Sequence, residues 1–150
     1  MHKALLLLTA LFVFISCRSL PYKEEVDTQT STQRFWNTDA RVWMGFEMSE
    51  KNGIYKLAVV FKNDSGYDLE LSDHKVQNIV ITVNEDDVVM LEPKKNVLKA
   101  GELLKRPFKL ELETKNYYYV QAKAGNLETP KLRIATFDKI ASKFHLVIEN

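Results

Sequence analysis

The chain has 150 residues, one cysteine, Cys17, and only three histidines, so the inventory for side-chain chemistry is short. His145 sits between Phe144 and Leu146 in an alternating stretch, the place of a structural residue rather than a ligand, and His74 has no His or Cys near it in sequence. Zinc sites draw on closely spaced His and Cys residues, and no such spacing occurs. The run Asn84-Glu85-Asp86-Asp87 offers four oxygen-bearing side chains. Calcium loops take spaced ligands from a wrapped segment, however, and a solvated hairpin turn accounts better for this run. Ser65, in "NDSG", lacks the strand-to-helix setting and flanking glycines of a nucleophile elbow; turn chemistry explains it. Asn63-Asp64-Ser65 also spells a glycosylation sequon. No catalytic, cofactor-binding or metal-ligating residue is assigned, and no cofactor is expected.

Cys17 is a different case because of where it stands. It follows an apolar run from Ala4 to Ile15, interrupted only by Thr9, preceded by His2 and Lys3 and closed by Ser16. A cationic start, a short apolar core and a small residue before the cut make a secretory signal peptide. The run is too short to cross a bilayer, which takes about 20 apolar residues. With no second cysteine, an intramolecular disulfide is impossible, which leaves a modification, a free thiol or an intermolecular bond. The segment Phe14-Ile15-Ser16-Cys17 resembles the lipobox of bacterial lipoproteins, in a relaxed form of the kind associated with spirochaetes. The family prefers Leu where Phe14 stands and Ala or Ser where Ile15 stands. The resemblance implies a diacylglyceryl group on the Cys17 sulfur, cleavage before Cys17, acylation of the new amino terminus, and residence in the bacterial cell envelope, lipid-anchored at the outer membrane.

Removal of residues 1–16 leaves 20 basic residues against 20 acidic ones. A protein gripping nucleic acid through its phosphates needs a cationic face, and this balance gives no support for one; no nucleic-acid partner is expected. Residues 17–35 then read as a lipidated N-terminus and flexible tether. "RSLPYKEEVDTQTSTQR" is polar and charged, with little to bury, so ordering it is not offset by apolar burial. As a random coil it would span about 23 Å.

From residue 36 to 150 the texture changes to period-two alternation. In "IYKLAVVFK" Tyr55, Leu57, Val59 and Phe61 share a face, and in "PFKLELE" Phe108, Leu110 and Leu112 do. "ARVWMGFEM", "NIVITV", "VVML", "YYYVQAKA", "KLRIATF" and "FHLVIEN" read the same way, between turn clusters such as "KNG", "KNDSG", "NEDD" and "AGN". Short β-branched and aromatic strands at this spacing, with no long helical pattern between them, predict an all-β fold: one antiparallel sandwich of seven to eight strands. A helical turn or a loop remains open over "FDKIASKFH", where Phe137, Ile140, Ala141 and Phe144 recur at helical spacing.

Tyr118, Val120 and Ala122 resemble the Tyr-x-Cys-x-Ala strand of immunoglobulin-like domains, with Val in place of Cys, and "LKAGELLKRPFKLEL" is similar to the turn and strand of their bacterial members. Thr114 and Asn116 depart from the Asp and Gly usual there. The resemblance implies an immunoglobulin-like sandwich in which Tyr118 fills a corner and bonds upstream backbone, and it transfers no active site. Tyr117 and Tyr119 must face away from Tyr118. In "ARVWMGFEM" the apolar face is Val42, Met44, Phe46 and Met48, so Trp43 lies on the other side with Arg41, Gly45 and Glu47. Two functions remain open. One is a non-enzymatic, monomeric, lipid-anchored domain that binds a protein partner in the envelope or host; its binding residues are unknown. The alternative is a lipid-anchored small-ligand carrier or enzyme with a dispersed site.

Overall fold

The computed structural model describes residues 22–38, 41–51, 54–110, 112, 117–136 and 144–148. Thirteen strands run through them in the order β1 (Tyr22–Asp27), β2 (Thr32–Thr38), β3 (Val42–Lys51), β4 (Ile54–Asn63), β5 (Leu69–Glu70), β6 (Ile79–Val83), β7 (Asp86–Leu91), β8 (Val97–Leu98), β9 (Leu103–Phe108), β10 (Tyr117–Ala124), β11 (Leu127–Glu128), β12 (Leu132–Thr136) and β13 (Phe144–Ile148). All ladders are antiparallel. The first sheet has the order β1-β2-β3-β4-β9 and the second β13-β12-β10-β6-β7, with β11 paired to β10 and a separate two-stranded ladder of β5 and β8.

The sheets form a sandwich around one core. Phe35, Met44, Phe46, Val59 and Phe61 from the first sheet join Ile79, Ile81, Val120, Leu132 and Ile134 from the second, all buried. The hairpin β1–β2 extends the first sheet beyond β3, and β13 extends the second beyond β12.

Each of the eight stretches read as strands contributes a strand, but two readings need correction. The stretch "PFKLELE" forms its strand earlier, over Leu103–Phe108, so Pro107 lies inside it. This is tolerated because β9 is an edge strand, where a missing backbone donor leaves no ladder bond unmade. Phe108, Leu110 and Leu112 still turn toward the core, as their alternation indicates.

The second correction concerns the tether. Residues 22–27 and 32–35 are in strands, and Tyr22 through Asp27 pair in register with Asn37 through Thr32. The ladder is made by the backbone, so the polar composition of the segment does not prevent it. A turn between the two strands is tied by Asp27, whose carboxylate accepts the backbone N–H groups of Gln29 at 2.9 Å and Thr30 at 3.3 Å. The sheet therefore begins at residue 22 rather than 36. The apolar run read as a signal peptide, Cys17, residues 52–53 of the "KNG" cluster and most of "FDKIASKFH" lie outside the described residues.

Two close approaches fix the packing of this frame. Gly125, at φ +58°, turns β10 into β11, and a Cβ there would overlap the His74 carbonyl. Asn126 donates its N–H to that same carbonyl at 2.9 Å, which ties the turn to the 3-10 segment Leu71–His74. Gly45 on β3 sits under the indole of Trp36, and a Cβ there would overlap the Phe35 carbonyl.

Candidate functional site

The residues singled out for chemistry are mostly absorbed by structure. His74 ends the 3-10 segment and serves through its carbonyl. His145 lies in β13, paired with Ala135. Asn84 and Glu85, at φ +51° and +72°, make the two-residue hairpin between β6 and β7, both residues left-handed as a type I′ turn requires. Asn84 also closes onto β10: its N–H donates to the Tyr119 carbonyl at 2.8 Å and its Oδ1 accepts the Tyr119 N–H at 2.9 Å. The acidic run is a turn, and among the described residues no group of three or more His, Cys, Asp or Glu could hold a metal ion.

The "NDSG" loop is organised from within by Asn63. This side chain is fully buried; its Nδ2 lies 2.8, 2.9 and 3.1 Å from the carbonyls of Tyr67, Leu98 and Lys99. Its Oδ1 accepts the Ser65 N–H at 2.9 Å, and the Ser65 hydroxyl lies 2.6 Å away. Asn63 is thus the buttress of a loop, and Ser65 serves the same loop.

The densest constellation of polar and aromatic side chains is on the outer face of the first sheet. The register places Lys23, Trp36, Gly45, Val60 and Lys105 in one row across five strands. Glu25, Arg34, Glu47, Ala58 and Pro107 form the row on one side of it, and Thr38, Trp43, Lys62 and Leu103 the row on the other. Trp36 is fully buried even though it points away from the core. It lies over Gly45 and meets Trp43 edge-on, with centroids 6.0 Å apart. The Trp43 ring carries two ammonium groups, those of Lys23 at 4.8 Å and Lys62 at 4.7 Å from its centroid, in reach of cation–π attraction.

Ion pairs complete this layer. Glu47, 3% exposed, accepts Arg34 Nε at 2.8 Å and pairs with Lys105. Burial pushes its pKa up, but the hydrogen bonds and charges of Lys105 and Arg34 outweigh that and hold it below the ordinary value. Glu25 pairs with Lys23 at 3.1 Å. Its pKa is also lowered, burial being outweighed by the Trp36 indole N–H that it faces and by Lys23 and Lys62. That indole Nε1 is buried without a hydrogen bond of good geometry.

The second sheet presents a smaller outward group. Tyr117 is 56% exposed, with the Arg133 guanidinium 4.3 Å from its ring centroid, and Lys131 stands 5.7 Å from that of Tyr119. Tyr118 points the other way and packs against the core, as the alternation of the three tyrosines requires. At the sheet's edge β7 exposes Val88 and Met90, where the register shifts beside Ile81 and Thr82. Between the sheets an open cleft of about 230 Å³ is lined by Asn37, Thr38, Val42, Met44, Asn126, Leu127 and Glu128, smaller than the usual 300 to 1,000 Å³ of ligand pockets.

Trp43 lies on the face its alternation predicts, with Gly45 and Glu47, while Arg41 stands just before the strand over the Tyr67 ring at 5.7 Å. The Trp36–Trp43 pair and its lysines are not apparent from the sequence. Lys62 is recoverable from the register of the β3–β4 hairpin, which sets it opposite Trp43; Lys23 is not, because nothing in its polar stretch signals a strand. The chain matches no protein-family model, and no curated protein or solved structure matches it either.

Proposed function

We propose that this is a lipid-anchored, non-enzymatic protein of the bacterial cell envelope, held at the outer membrane by acyl chains on Cys17 and binding another protein or an envelope or host component through its sandwich surface. The observation that carries the reading is the apolar run that stops at Ser16 and the only cysteine in the chain. Two or more acyl chains suffice for stable anchoring, where one is marginal. The binding role is supported by the outward aromatic and basic pair on the second sheet, Tyr117 with Arg133, because Tyr and Arg are among the usual anchors of recognition surfaces. No helix among the described residues is long and apolar enough to cross a membrane.

The test is to label cells metabolically with a fatty-acid analogue and compare wild type with Cys17→Ala. Label on the wild type alone, with the variant lost from the membrane fraction, supports the anchor; an unlabelled wild type overturns it. A photo-crosslinker at position 117 in intact cells then reports the partner. Adducts that form there and not at Lys75 support the surface, and none at either position rejects it.

A further inference from the structure

We propose that the outer face of the first sheet rests on the anionic headgroups of the membrane that holds the anchor, with Lys23, Lys62 and Lys105 as its contacts. The inference builds on the reading that Cys17 is lipidated, and adds an orientation to it.

Four residues lie between Cys17 and Tyr22, the first residue of β1, and the five extended steps that join them span at most about 18 Å. A stand-off of the full tether is therefore out of the question, and the first strand starts within about 18 Å of the lipidated residue. Tyr22 starts β1 opposite Asn37, and the next register row holds Lys23, Trp36 and Lys105, beside the row of Thr38, Trp43 and Lys62. At about 4.8 Å between strands, β4 lies only about 15 Å from β1, so the anchor enters at the corner of the sheet that carries these lysines.

Among the side chains described, Lys23, Arg34, Lys56, Lys62 and Lys105 share this face with Glu25, Asp27 and Glu47, a surplus of two positive charges, although basic and acidic residues balance over Cys17 to Asn150. The side chains of Lys23 and Lys105 remain about half exposed, at 50% and 46%. The Trp43 site also suits a phosphate better than a sugar. A sugar ring would stack on a bare indole, whereas this indole is capped by two ammonium groups. A phosphate could accept hydrogen bonds from those ammonium groups without displacing them.

The experiment uses the lipidated protein purified from its membrane and placed in vesicles of phosphatidylcholine alone or with added phosphatidylglycerol. Lysines are acetylated briefly and read by mass spectrometry. Lys23, Lys62 and Lys105 should react about fivefold more slowly on the anionic vesicles, the factor expected for a basic residue held at an anionic surface. High salt should erase the difference. Lys75, at the end of the 3-10 segment, and Lys123, in β10 of the second sheet, lie off this face and should not change. Equal rates for the three lysines on both vesicles, or slowing at Lys75 and Lys123 instead, overturns the proposal. The same digest gives the mass of the peptide beginning at Cys17: a lipid-free cysteine overturns the anchoring reading itself, whereas lipid there with equal rates overturns only the orientation.

Discussion

Gly45 lets the bulkiest side chain in the protein lie flat on a sheet. Trp36 occupies the space a Cβ would take, so Gly45→Ala must push either the indole or the Phe35 carbonyl. Overpacking of this kind costs about 1 to 3 kcal/mol, and urea unfolding of the variant should show a loss at the upper end, with Trp36 fluorescence shifted to longer wavelength in the native state. Glu47 gives a second prediction with a defined pH dependence. Its folded pKa lies below the ordinary value of 4.5. The stabilisation it provides is therefore complete above that value and lost as pH falls through the lower, folded one. Charge-assisted hydrogen bonds contribute about 1.5 to 3 kcal/mol, so Glu47→Gln should cost roughly 2 kcal/mol at neutral pH. The gap between variant and wild type should narrow as pH falls below 4.5 and close once the folded carboxyl is protonated. A gap that stays constant down to pH 3 would show that shape, not charge, makes this pair.

The hairpin β1–β2 shows what periodicity can and cannot reveal in this chain. Strands β3, β4, β6, β10 and β12 bury one face against the core, so their alternation appears in the sequence and so does the sandwich. Strand β1 has no such signature. Lys23 and Glu25 point outward, while on its inner side Val26 is 58% exposed, so neither face is apolar enough to distinguish it from a tether. It is held by backbone pairing, by the Lys23–Glu25 ion pair and by the Asp27 turn, none of which leaves a hydrophobic pattern. The buried Trp36 was illegible for a related reason: its surroundings, Glu25 on β1 and Trp43 and Gly45 on β3, are brought to it by strand pairing and leave no pattern around it in sequence. Amide hydrogen exchange checks the hairpin directly. Amides of residues 23–26 should exchange more slowly than free coil and faster than those of β4, because an edge ladder opens more readily than a central one; coil-like rates would restore the tether. The β6–β7 turn offers an opposite effect. Glu85 sits at φ +72°, which costs a non-glycine residue about 1 to 2 kcal/mol, and Gly is the favoured residue at that place in a type I′ turn. Glu85→Gly should raise stability by about 0.5 kcal/mol or more despite the added freedom of the unfolded chain. Its ion pair with Lys131 at 3.7 Å is of the exposed kind that contributes little.

For the molecule as a whole, anchor and sandwich should be separable. Cys17→Ala is expected to abolish membrane partitioning and leave the far-ultraviolet dichroism spectrum of a β protein unchanged, since no described strand includes that residue. A helix-dominated spectrum, or a variant that loses its fold with its lipid, would contradict this division. The two sheets share one core, and thermal unfolding should accordingly be a single cooperative transition. The Asn63 buttress has a different consequence, which bears on where the protein can be made. In a eukaryotic secretory pathway, oligosaccharide is added at Asn-x-Ser to a chain still emerging and unfolded, when the residue is open to the enzyme. Here the modified nitrogen would be Nδ2, the atom that must later sit against the carbonyls of Tyr67, Leu98 and Lys99 in a site with no room for a sugar. Glycosylation and folding thus compete for one atom, and whichever comes first is decisive. Secreted from such a host, wild-type chains that receive the glycan should be retained as misfolded material, while Ser65→Ala, which destroys the sequon and spares Asn63, should be secreted folded.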